Sequence, residues 1–65
     1  MIRFELGEQR FAKLEPMIGE DGKQYGWQMS SRDFAALQPL PSAFTREEET
    51  GELMYQGQPV NVYAS

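Results

Sequence analysis

The sequence predicts an α+β fold, a small antiparallel sheet of four to five short strands with one short helix packed on one face. Three observations predict it. Apolar and polar residues alternate over several separate stretches, which is the period of half-buried strands. Turn-type pairs join those stretches closely enough to return the chain antiparallel. The period changes clearly at one place only, Ser30, where a helix start is written into the sequence.

Ile2, Phe4 and Leu6 alternate with Arg3 and Glu5 to give the first strand, and Gly7-Glu8 reads as its turn. Phe11 to Leu14 resumes an extended pattern, and Pro16 suits a strand end or an edge because proline cannot donate to a ladder. Met17-Ile18 leads into the hairpin turn Gly19-Glu20-Asp21-Gly22. Tyr25, Trp27 and Met29 alternate on the returning strand, and Gly26 marks a bulge or a close approach of another backbone. Ser30 then caps a helix with Asp33 three residues on. Phe34, Leu37 and Ala35 face its core side, and Pro39 stops it near Leu37. Two turns of helix are stable only when packed against a sheet.

Ser42 to Gly51 fits two descriptions. Thr45 followed by Glu48 forms a second capping box with Gly51 as C-cap, or the segment is an acidic loop. Glu52 to Gln56 and Val60 to Tyr63 are two strands of a final hairpin turning at Gly57-Gln58. No repeat, linker or low-complexity tract interrupts the chain, so residues 1–65 form a single small domain.

A domain of 65 residues has a marginal core, and without cysteine it has no disulfide to reinforce it. It must rest on apolar packing or on association. The N-terminus lacks the apolar stretch of a secretory signal, and no apolar run reaches the roughly 20 residues of a membrane span. The Met start without a tag reads as a complete chain, and the expected compartment is the cytoplasm.

The net charge is −4, and the four carboxylates of Glu47, Glu48, Glu49 and Glu52 against the one guanidinium of Arg46 leave −3 of it between residues 46 and 52. The cations are scattered singly and the net sign is wrong for phosphate binding, so direct nucleic-acid binding is disfavoured. Histidine and cysteine are both absent, which removes Ser-His and Cys-His catalysis and the usual zinc sites. There is no phosphate-binding loop, no dinucleotide fingerprint and no calcium loop. Glu15, Glu20, Asp21 and Asp33 are the carboxylates left for acid–base chemistry, but so small a core leaves little room for a pocket. No catalytic residue, metal ligand or cofactor is expected.

Three features have a functional reading beside a structural one. The acidic run Glu47, Glu48, Glu49 and Glu52 is either a solvated turn or a patch for a basic surface. Tyr25 and Trp27 are either core anchors or contact aromatics. The final hairpin, with Tyr55 and Tyr63, either completes the sheet or offers an edge that Pro59 would blunt. The leading expectation is a non-catalytic protein-binding module. It would inhibit or regulate a larger basic, nucleic-acid-handling protein or nucleoprotein complex, and its profile is one common among phage- or mobile-element-encoded proteins. Its contact residues would be Glu47, Glu48, Glu49, Glu52, Tyr55 and Tyr25. One alternative is an assembly subunit that forms homo-oligomers through a sheet edge or apolar face. Another is a small single-strand binder that stacks bases on Tyr25 and Trp27.

Overall fold

The computed structural model describes residues 1–64. The elements run β1 (Ile2–Gly7), β2 (Arg10–Ile18), β3 (Gln24–Ser30), α1 (Ser31–Ala36), β4 (Phe44–Arg46), β5 (Leu53–Tyr55) and β6 (Gln58–Tyr63). The six strands form one sheet in the order β1-β2-β3-β6-β5-β4.

This corrects the expected fold in three respects. There are six strands where four to five antiparallel ones were expected, and β3 pairs β6 in parallel, with Trp27 opposite Val60 and Met29 opposite Val62. The sheet also curls into a half-barrel, so the chain is mostly β. A flat sheet would separate its outermost strands by five steps of about 4.8 Å, roughly 24 Å. Yet the rings of Phe4 on β1 and Phe44 on β4 lie 5.4 Å apart. Finally, α1 does not cover a sheet face, because the curled sheet encloses its own core. The six-residue helix has no fully buried residue. Phe34 is half-buried against the core and Ala35 is exposed.

The core lies on the concave side. Ala12 and Leu14 of β2, Trp27 and Met29 of β3, Phe44, Leu53, Tyr55 and Val60 form it together with Leu37, and Ile2, Phe4 and Leu6 pack on its margin. The alternation of β1 therefore does what its period implies. The Tyr55 ring meets Phe44 at 4.9 Å, Trp27 at 5.5 Å and Phe4 at 5.9 Å, the last two edge-on, the arrangement aromatic quadrupoles prefer. Trp27 Nε1–H donates to the Tyr55 carbonyl at 3.2 Å, so its polar edge is satisfied inside the core.

Local signals set the connections. Glu8 and Gln9 both adopt positive φ in the two-residue turn that pairs Gly7 with Arg10, as a hairpin of that length demands. The last hairpin turns on Gln56-Gly57, both at positive φ, one residue earlier than the sequence suggested. Gly26 is a close approach as expected. A Cβ there would stand 2.7 Å from Met17 Cε and 2.9 Å from the Pro59 carbonyl oxygen. The register shift between Met17 and Ile18 lies beside it.

The helix start also follows the sequence. Ser30 is the N-cap and its Oγ accepts from the Asp33 N–H at 3.1 Å. Ser30→Ala is expected to cost about 1 kcal/mol, read as a lower urea midpoint at unchanged slope. Ser30→Asp, which restores an acceptor, should recover most of it.

Candidate functional site

The segment from Thr45 to Gly51 is where the helical alternative fails. Phe44–Arg46 is a strand paired with Leu53–Tyr55, with Arg46 opposite Leu53. Phe44 is the reason: its ring is buried against Tyr55, and burying it fixes the flanking residues as extended chain. Thr45 is therefore a strand residue and caps nothing, while Gly51 keeps the positive φ that a C-cap would also need.

The acidic residues become the turn between β4 and β5, and every residue from 45 to 52 is exposed. The turn is closed from within. Glu47 N–H donates to the Glu52 carbonyl and Gly51 N–H to the Glu47 carbonyl, both at 2.8 Å. The Arg46 guanidinium donates to the Gly51 carbonyl at 2.9 Å, and Glu52 N–H donates to Thr50 Oγ1 at 3.2 Å. So the one cation of the segment is held on a backbone oxygen, and Glu48, Glu49 and Glu52 have their carboxylates in water. Among the described residues no group of three or more carboxylates is placed to hold a metal ion.

The expected contact residues do not form one site. Tyr55 is only 7% exposed at the centre of the aromatic cluster, so its ring presents no surface to a partner. Tyr25 is 59% exposed, but it stands at the start of β3 beside the Gln24–Gln58 hydrogen bonds. That end of the sheet is opposite to the one carrying the acidic turn, because the turn follows the end of β4 and precedes the start of β5. Trp27 is buried, which leaves Tyr25 without a second stacking ring. The carboxylates considered for acid–base chemistry are dispersed. Asp21 accepts from Lys23 N–H in its turn, and the Asp33 carboxylate accepts from Lys13 N–H at a long 3.4 Å while its backbone N–H donates to Ser30 Oγ.

β6 is interior, between β3 and β5, so the final hairpin completes the sheet and offers no edge. Its last residues run past the paired part of β5 toward the acidic end, where Val62 and Tyr63 are 36% and 42% exposed. They stand opposite Met29 and Ser30 of β3 and, as successive strand residues, project to opposite faces. Sequence alternation assigned Val62 to the same face as Val60, which is right. What it lacked was the short β5, which covers only the beginning of β6.

Comparison with known proteins adds no relative. No family model matches the chain, and neither curated proteins nor solved structures gave a match. The functional reading therefore stands on the geometry of this chain. Among the described residues no helix is long and apolar enough to cross a membrane.

Proposed function

We propose that this chain is a non-catalytic protein-binding module that regulates or inhibits a larger basic partner, such as a nucleic-acid-handling protein. It docks through the β4–β5 turn. One observation supports this reading above others: four glutamates project from a turn whose backbone is fixed by its own hydrogen bonds and whose one cation is already engaged. A pre-ordered turn loses little conformational freedom on binding. An uncompensated −3 patch steers a basic surface toward it. The absence of histidine and cysteine supports a binding role rather than a catalytic one.

The test is affinity capture from native-host lysate with the wild-type protein and with the triple variant Glu47→Lys, Glu48→Lys, Glu49→Lys. The wild type is expected to retain a basic partner at low salt and to lose it near 1 M, where the screening length falls to about 3 Å. The variant should fold normally and associate at least about tenfold more slowly with the recovered partner. Equal association rates for the two proteins would reject the acidic turn as the docking element.

A further inference from the structure

The curled sheet leaves β1 as an outer strand with a neighbour on one side only. A groove of about 610 Å³ opens there, lined by Arg3, Phe4, Glu5, Leu6 and Arg10 and by residues of the segment from Ala36 to Pro41. Four consecutive residues of a strand project alternately to opposite faces. A groove that touches all four therefore follows the backbone edge, where alternate N–H and C=O groups point away from β2. Such an edge accepts one more extended strand.

The sequence of β1 says which strand fits. Ile2-Arg3-Phe4-Glu5-Leu6 is complementary to itself when read in the opposite direction. Two copies laid antiparallel about Phe4 put Arg3 opposite the partner's Glu5, Glu5 opposite the partner's Arg3, and Ile2 opposite the partner's Leu6. Both charged pairs lie on the outer face and all the apolar residues on the inner one. Opposite charges directly across a ladder stabilise it, and like charges weaken it. Within the monomer Arg3 stands opposite Lys13, a like-charge pair. No hydrogen bond or ion pair engages the Arg3 guanidinium among the described residues. The partner's Glu5 would supply the missing counter-charge. Ile2, Phe4 and Leu6 are only half-buried in the monomer, and the second copy would cover their open side.

We infer that this chain forms a two-fold symmetric dimer by antiparallel pairing of β1 with β1, joining two half-barrels into one continuous sheet. The contact is isologous, so it closes at two copies and leaves no free β1 edge. It is independent of the acidic turn, which lies on the loop between β4 and β5.

The experiment is sedimentation equilibrium over a wide concentration range, on the wild type, on Arg3→Glu, on Glu5→Arg, and on the double variant carrying both. Arg3 and Glu5 are exposed, so the variants are expected to keep the wild-type circular dichroism. The wild type should approach twice the 7.5 kDa chain mass as concentration rises. Each single reversal sets like charges opposite one another twice per dimer and should weaken association at least about tenfold. The double variant restores complementarity and should return to within about threefold of the wild type. A wild type that stays at the single-chain mass into the millimolar range overturns the inference. So does a dimer that neither single reversal weakens, which would place the contact on another face. Loss of partner capture by the acidic-turn variant, with this dimer intact, would leave the two sites independently established.

Discussion

Tyr55→Ala is expected to leave the protein largely unfolded at ambient temperature. Removing a buried aromatic side chain costs about 3–5 kcal/mol, and a chain of this size has roughly 3–10 kcal/mol in total. The effect is large because of where the ring stands. It touches Phe4 from β1, Trp27 from β3 and Phe44 from β4, so one side chain joins both margins of the curled sheet. A denaturant titration followed by the fluorescence of Trp27, the single tryptophan, reads the loss directly. The probe remains valid in the variant, since Trp27 Nε1 bonds the backbone carbonyl of residue 55 and not its ring. Tyr25→Ala is the matched control, and at 59% exposure it should shift stability by less than about 0.5 kcal/mol. Equal midpoints for the two variants would show that the aromatic cluster does not hold the sheet closed.

Gly26→Ala is expected to destabilise by about 1–3 kcal/mol, the opposite of what replacing a strand glycine usually does. The added methyl meets Met17 Cε at 2.7 Å and the Pro59 carbonyl oxygen at 2.9 Å. Met17 can move aside, because its terminal carbon is the end of a flexible chain. The Pro59 oxygen is backbone of the adjacent parallel strand and cannot move without shifting β6. Thermal unfolding should fall by about 4–8 °C per kcal/mol. Adding Met17→Ala removes only the yielding contact, so the double variant should recover little of the loss. An unchanged melting temperature for Gly26→Ala would mean that β6 lies farther from β3 than the ladder places it.

Much of the secondary structure was legible in the sequence because it is local. The alternation of Ile2, Phe4 and Leu6, the Asp21-Gly22 turn, the Ser30 cap and the stop before Pro39 are each decided by a few neighbouring residues. What failed was decided by distant ones. Phe44 is a strand residue because Tyr55, eleven positions on, buries it. Nothing between Ser42 and Gly51 carries a period, and three residues are too few to show one. The parallel pairing of β3 with β6 joins residues more than thirty positions apart, and alternation gives each strand's faces but not its neighbours. Curling was illegible for the same reason, since it appears only when Phe4 is seen against Phe44.

The candidate site divides in the same way. The acidic residues were found because charge is read directly from composition, and their exposure follows from their chemistry. Tyr55 was misplaced because next to an acidic run in sequence is not next to it in space. In a strand, residues one and three places past a turn can already be core, as Leu53 and Tyr55 both are. The edge groove along β1 was invisible until the strand order was known.

The place of β6 also governs when the molecule can come into being. Strands β1 to β3 form one hydrogen-bonded group, β4 and β5 another, and β6 alone joins them. Residues 58–63 are synthesised after every other strand. A nascent chain still holding them inside the ribosomal tunnel has two sheet fragments and no way to unite them. Pairings so distant in sequence close slowly, because the intervening chain must first lose its freedom. The half-barrel can therefore close only once residues 58–63 have joined the other five strands, and until then β3 and β5 present bare edges.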